Sequence, residues 1–337
     1  MSSEPKTIFV TGATGLVGSH VVEEALSRGH RVKALVRASS DTRFLDELGV
    51  EKVPGDLEDA AALRRGCEGA DWVFNCAAKV GDWGTLDEFR RLNVDALRLL
   101  LDAAVGAKVG RFVHVSSLGV YEGRDHFGSD ETVAPAAQSL DAYTRSKVEA
   151  EALALESHRT KGLPVSVVRP GFIYGPRDRT VVPKLLDTLR KKKFFYFGSG
   201  EQALNCIYVK NLVQGIFLAA EVPGAVGEVF NLTDGARVSK KQFVGRVAGL
   251  AGVKPPTRKI PLWLAWTLAV LMERRAKRKN SPTPPLVNKA RYKFNGLNLD
   301  FSIEKARRVL GYDPKYTTDA GLAEAMAEHA PATAGVS

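Results

Sequence analysis

Residues 11–18, TGATGLVG, constrain this chain more than any other stretch. They follow the apolar run Ile8, Phe9, Val10 directly and lead into a segment with apolar residues at Val17, Val21, Val22, Ala25 and Leu26. That pattern reads as strand, tight turn, helix. Glycines at 12, 15 and 18 tolerate positive φ, allow close backbone approach and let the helix pack tightly on the strand. The free amides and the positive dipole end of the helix converge on the same spot, so a pyrophosphate is the fitting ligand. A Gly-rich triplet can also be no more than a turn; its place between the first strand and the first helix argues for phosphate binding. Gly12, Thr14, Gly15, Leu16, Val17 and Gly18 are the candidate contacts.

The next segments repeat the strand and helix alternation. Residues 31–36, RVKALV, predict a second strand, and Arg37 stands 19 residues beyond Gly18, where a dinucleotide fold places the group that meets the adenosine ribose. An acid there would accept from a 2′-hydroxyl; an arginine followed by Ser39 and Ser40 suits a 2′-phosphate, which favours NADP(H) and leaves NAD(H) as the alternative. A solvated arginine at a strand end is the plainer reading. A third strand closes on Val53, Pro54 and Gly55 ahead of Asp56 and Leu57. Asp56 can accept from an adenine amino group or serve as the N-cap of a helix starting at Asp59. Residues 71–75, DWVFN, read as a buried strand running into Cys76, Ala77, Ala78 and Lys79, where small side chains let the backbone lie flat against a cofactor. A helix over 85–105 carries Asn93, and a strand over 112–115 ends at Ser116 and Ser117. Right-handed crossovers between these strands build a parallel, doubly wound α/β sheet of Rossmann type, with ligands at its carboxyl edge.

At roughly 150 residues per domain, 337 residues allow one large or two unequal domains. The break in pattern assigns 1–170 to dinucleotide binding and 171–330 mainly to a smaller substrate-binding lobe, with a strand near 228–232 returning to the sheet. The excess of 48 Lys and Arg over 38 Asp and Glu favours phosphate-bearing ligands or anionic surfaces. No basic stripe interleaved with aromatics predicts a nucleic-acid groove, and no nucleic-acid partner is expected. Cys67, Cys76 and Cys206 are spaced too irregularly for a disulfide framework or a metal knuckle, so no metal is expected and a reducing, cytoplasmic setting is. The stretch MSSEPK carries no pattern of a secretory signal.

Tyr143 and Lys147 lie four residues apart in the helix-prone segment AYTRSKVEAEALAL, which puts both on one face. A phenol titrating near 10 is a poor base at neutrality, and a neighbouring cation lowers that value. Tyr143 can then exchange a proton with a substrate oxygen, and Ser117 can hydrogen-bond the same oxygen. Such a pair is more often a plain helix surface; the Gly loop and the serine pair upstream, in this order, favour catalysis.

As a set, TGATGLVG, Asp56-Leu57, NCAA, LNVDAL, VSSLGVY, YTRSK and VRPGFIYGP resemble the extended short-chain dehydrogenase/reductase family. The resemblance implies Ser117, Tyr143 and Lys147 as the catalytic set, Lys147 also holding the nicotinamide ribose, and Asn93 supporting a proton-relay water. It further implies Pro170, Gly171 and Ile173 beside the nicotinamide. One departure is NCAA where many members read NNAG, which bears on packing at the adenine side.

Residues 169–176 mark where the chain leaves the sheet, because Pro170, Gly171, Gly175 and Pro176 do not extend a regular element. Beyond them the pattern predicts a helix over 182–193, an aromatic run at 194–197, and a segment from Asn205 that turns helical at Asn211. In 260–279, IPLWLAWTLAVLMERRAKRK, the eleven residues 262–272 are too few for a bilayer span, which needs roughly 20. With Trp263 and Trp266 and a basic end, this helix can lie in a membrane interface or simply pack over the substrate cleft. AAKVGDWG, the apolar helix with basic and Pro-rich sequence behind it, and FSIEKARRVLGYDP resemble the 3β-hydroxysteroid dehydrogenase branch, including bacterial reductases of 2-alkyl-3-ketoalkanoic acids; ALVRASS is similar to plant dihydroflavonol reductases.

The leading expectation is an NAD(P)(H)-dependent oxidoreductase, most simply a homodimer, that interconverts a secondary alcohol and a ketone on a bulky, apolar small molecule. A nucleotide-sugar epimerase or dehydratase with tightly held NAD is the second expectation, and a non-catalytic dinucleotide sensor the third.

Overall fold

A computed structural model describes residues 4–139, 141–279 and 281–329. Seven strands form the central sheet: β1 (Thr7–Thr11), β2 (Arg31–Val36), β3 (Glu51–Pro54), β4 (Trp72–Asn75), β5 (Arg111–Val115), β6 (Val165–Pro170) and β7 (Val229–Leu232). Their spatial order is β7-β6-β5-β4-β1-β2-β3, and every neighbouring pair is parallel. The order reverses between β1 and β4, which opens the crevice where α/β sheets bind ligands.

Both faces of the sheet are covered, so alternate residues of one strand enter different cores. Ile8, Val10, Phe74, Val113 and Val168 face the helices Leu16–Ser27 and Val209–Glu221, meeting Val21, Ala25, Leu212 and Ile216. Phe9, Val73, Phe112 and Val167 face the helices Ala60–Cys67, Ala96–Gly106 and Ala142–Lys161, meeting Leu63, Leu97, Leu101 and Ala150. Phe9 is fully buried, and truncating it to alanine removes contacts worth about 3–5 kcal/mol. A third core, around Tyr174, Leu186, Tyr208, Phe243, Val247 and Leu322, belongs to the distal segments.

Three sequence expectations change in the folded chain. Regular structure does not stop at Pro170: Phe172–Tyr174 forms a short strand paired in parallel with Cys206–Tyr208. Gly171 makes the switch of partner feasible, its amide still donating to Leu232 O at 2.9 Å while a Cβ there would fall 1.9 Å from Asn205 O. The helix after β3 is capped by Asp59, whose carboxylate accepts from the amides of Ala61 and Ala62 at 3.0 Å, whereas Asp56 accepts from Glu58 N at 2.8 Å in a local turn. The helix carrying Asn93 is interrupted by a π-turn, Arg91–Asp95, between Leu86–Arg90 and Ala96–Gly106. Among the described residues, no helix is long and apolar enough to cross a membrane, and no cluster of three or more potential ligands could hold a metal ion.

Candidate active site

The glycine turn adopts the geometry its spacing requires. Gly12 takes φ +72° and its carbonyl accepts from Gly15 N at 2.9 Å. A Cβ on Gly18 would lie 2.1 Å from Gly12 O, so only glycine lets the Leu16–Ser27 helix press onto β1. That helix begins at Gly15 with no capping side chain and no acid in its first turn. Its first amides therefore remain available to an anion, a cradle that fits a dinucleotide pyrophosphate.

A cavity of about 510 Å3 opens from this turn along the carboxyl edge of the sheet. Gly12, Gly15, Leu16, Val17, Gly18, Cys76 and Ala78 line one end; Ser117, Tyr143 and Lys147 line the middle; Pro170, Gly171 and Ile173 lie beside them. Ala77 sits directly under the turn, since a Cβ on Gly12 would meet Ala77 N at 2.9 Å. The remaining wall is largely apolar, with Phe172, Val181, Phe294, Leu299 and Phe301.

Tyr143 is the second residue of Ala142–Lys161, whose N-cap Asp141 accepts from Tyr143 N at 3.2 Å and Thr144 N at 3.4 Å. Ser117 ends the strand side of the site; its Oγ accepts from Gly119 N at 2.9 Å, which leaves the hydroxyl hydrogen free to donate elsewhere. Burial pushes the Tyr143 phenol above its ordinary value, and a hydrogen bond from Ser117 pulls it part of the way back. The expected lowering by Lys147 is not what this geometry produces. Lys147 Nζ instead donates to Val115 O at 2.7 Å, and burial lowers its pKa to about 8, against the opposing pull of Glu151. Glu151 is itself held in a buried pair with Arg169, whose other arm donates to Tyr121 Oη at 2.7 Å.

The other sequence candidates lie outside the cavity wall. Arg37 is exposed just past the carboxyl end of β2, and the next acid along the sequence, Asp41, is engaged by Arg43 at 2.7 Å. Thr14 is half-buried at the turn, Asp56 is exposed and Leu57 packs against the core beneath it. Asn93 is buried and spends its amide on Lys79 and Ser146: Lys79 N donates to it at 2.7 Å, and it donates to Lys79 O and to Ser146 Oγ at 3.0 Å. Lys79 points away and pairs with Glu88 at 2.9 Å. Sequence reasoning missed Glu122, Asn205, Lys293 and Phe294, all of which line the cavity. Nothing in RYKFNG signals a site residue, because the helix Lys289–Gly296 reaches the cavity only through tertiary packing.

The fold and this cavity define an α/β dinucleotide-binding enzyme. The model of the NAD dependent epimerase/dehydratase family matches residues 8–233, and the chain belongs to that family, making it an NAD(P)-dependent enzyme of the extended short-chain dehydrogenase/reductase type, as its motifs implied. It is 34% identical over 330 residues, 97% of each chain, to the 4-hydroxy-2-methyl-3-oxo-4-farnesyl-3,4-dihydroquinoline-1-oxide ketoreductase of Stigmatella aurantiaca. It is 33% identical, over 97% of this chain and 91% of the other, to the 3 beta-hydroxysteroid dehydrogenase/Delta 5-->4-isomerase of Mycobacterium tuberculosis. The crystal structure of gox2253 superposes with a TM-score of 0.81 at 31% identity, covering 96% of this chain and 99% of that one.

Proposed function

We propose that the protein is an NADP(H)-linked oxidoreductase that interconverts a ketone and a secondary alcohol on a bulky, apolar substrate, sterol-like or β-keto acid-like. One observation carries this reading: a phosphate-binding turn, a Ser, Tyr, Lys set and a wall of aromatic and aliphatic side chains share a single cavity. The names of the two relatives, a farnesyl-quinoline ketoreductase and a hydroxysteroid dehydrogenase, support the substrate class.

In this reading the turn from Gly12 to Gly18, with Thr14, holds the pyrophosphate; Asp56, Leu57, Ala77, Ala78 and Lys79 border the adenosine side; and Lys147, Pro170, Gly171 and Ile173 border the nicotinamide. The nicotinamide supplies or accepts the hydride. Ser117, whose hydroxyl meets Tyr143 in the substrate-free protein, turns its hydrogen to the substrate oxygen and orients it. Tyr143, protonated at neutrality as any phenol is, delivers its proton to that oxygen as the ketone is reduced. Lys147, anchored on Val115 O, would hold the nicotinamide ribose from the same helical face, and Asn93 anchors the segment that carries Lys79 and supports a relay water.

Arg37, followed by Ser39 and Ser40 and with Asp41 already paired, supports NADP(H) over NAD(H). Residues 1–170 serve the dinucleotide and 171–330 mainly the substrate. The helix Leu262–Arg278 buries only Ala265 and Ala269 and turns Trp263 (70% exposed), Trp266 (45%) and Leu271 (57%) outward, ahead of Arg274, Arg275, Lys277 and Arg278. That face supports peripheral contact with an anionic membrane, from which an apolar substrate would be drawn. The free thiols of Cys67, Cys76 and Cys206 support a cytoplasmic setting, and a homodimer is the assembly we assign.

The test is titration with NADPH and NADH, followed by nicotinamide absorbance with a 3-keto sterol, a long-chain β-keto acid, a dihydroflavonol and a UDP-hexose. Oxidation of NADPH by an apolar ketone supports the reading. Conversion of the UDP-hexose with tightly held NAD and no net oxidation would replace it with an epimerase.

A further inference from the structure

Lys293 lies in the cavity wall on a helix of the substrate lobe, far in sequence from the residues that meet the reacting oxygen. Its ammonium donates to two backbone carbonyls, Gly119 O at 2.8 Å and Tyr121 O at 2.6 Å, and approaches Thr144 Oγ1 at 3.4 Å. Among the described residues no carboxylate forms an ion pair with it; Asp141 and Glu122 act on it only from a distance. A lysine sunk into a largely apolar wall is costly, and one without an ion-pair partner repays that cost only through its hydrogen bonds.

Those bonds fall on one short turn. Gly119 N donates to Ser117 Oγ at 2.9 Å, and Gly119 O also accepts from Thr144 Oγ1 at 3.0 Å. Thr144 is next to Tyr143 and shares its N-cap, Asp141, whose carboxylate at 2.6 Å shares the one Thr144 hydroxyl hydrogen with Gly119 O. A Cβ at Gly119 would stand 3.1 Å from Ser117 Oγ and 3.5 Å from Tyr143 Cε1, so this residue wedges between the two catalytic candidates. We propose that Lys293 is a positioning residue: from the substrate lobe it clamps the Ser117–Tyr121 turn onto the start of the Tyr143 helix and so sets the reach of the Ser117 hydroxyl to Tyr143 and the substrate oxygen. The proposal rests on the oxidoreductase reading above and adds to it a link between docking of the substrate lobe and assembly of the catalytic set.

A double-mutant cycle tests it in the full-length protein. Lys293→Met lowers kcat for NADPH-dependent reduction of the responsive ketone about 10- to 100-fold, with NADPH affinity within about threefold of the wild type. In a Ser117→Ala background the same change costs less than about threefold, because the group it positions is already gone. A wild-type kcat in Lys293→Met, or losses that multiply in the double variant, would overturn the proposal. Should Lys293→Met fail to fold, Lys293→Gln, whose shorter arm does not bridge both carbonyls, takes its place in the cycle. A substrate-free arm separates this proposal from the reaction assigned: tyrosinate absorbance of each protein minus its Tyr143→Phe counterpart reports the Tyr143 titration. Loss of the Lys293 clamp shifts that titration upward as the Ser117 hydrogen bond weakens. An unmoved titration overturns the positioning role even if no ketone in the panel reacts.

Discussion

Lys147 is anchored to the carbonyl of Val115 at 2.7 Å, on β5, rather than to the phenol of Tyr143 one helical turn away. Its charge is therefore held at the sheet edge, where burial lowers its pKa from 10.5 to about 8. Between those two values the unfolded chain holds a proton that the folded protein has released, so folding stability rises with pH across that window; below it the cost of burying the charge is fully present and constant. Denaturation of the cofactor-free protein and of Lys147→Met, from neutrality to pH 10.5, should show wild-type stability climbing relative to the variant from about pH 8 upward. Parallel curves would mean that Lys147 is not desolvated.

The glycine turn makes a steric prediction. Gly18→Ala places a Cβ 2.1 Å from Gly12 O, forcing helix and strand apart at a cost of about 1–3 kcal/mol and weakening NADPH binding. Gly15→Ala meets the same oxygen at 3.3 Å and should be the milder change. Thermal unfolding and cofactor titration of the two variants check the ranking, and the reverse order would contradict the packing described.

This turn was legible because strand, glycines and helix are consecutive, as were six of the seven sheet strands, whose two-sided burial shows as apolar runs such as residues 8–10 and 72–74; the strand Val165–Pro170 was not foreseen. The gathering of Ser117, Tyr143 and Lys147 in one cavity could be read from order and spacing. What stayed hidden depends on chain brought in from afar. The strand Phe172–Tyr174 exists because Cys206–Tyr208 comes alongside, and Lys293 meets Gly119 across 174 residues. The anchor of Lys147 could not be seen either: four-residue spacing gives the face of the helix, but the choice between a phenol and a carbonyl is made by β5. Asp59 displaced Asp56 as the cap for a local reason: the helix starts at Ala60 rather than at Asp59, which leaves Asp59 itself in the N-cap position.

In the proposed reading Arg37 carries the cofactor preference. Arg37→Ala removes the charge-assisted bonds to a 2′-phosphate and should lower kcat/KM for NADPH about 10- to 100-fold with little change for NADH. Steady-state kinetics with both cofactors decide it; equal effects on the two, or none, would leave Arg37 as a solvated strand end.

The outward face of the Leu262–Arg278 helix predicts association with vesicles containing anionic lipid at low ionic strength, weakening as salt is added. Replacing Trp263 and Trp266 with serine should abolish sedimentation with vesicles and leave reduction of a water-soluble ketone intact. Failure of the wild type to sediment with anionic vesicles would remove the membrane from the account.

Tyr143 tests the central claim most directly, through the rate of NADPH oxidation with the responsive ketone in the wild type and in Tyr143→Phe, with cofactor binding measured on both. The phenol is the proton donor in this account, so its loss should cost about 100- to 10,000-fold in kcat while NADPH affinity is retained. Turnover unchanged in Tyr143→Phe would contradict the mechanism and the identification of this cavity as the active site.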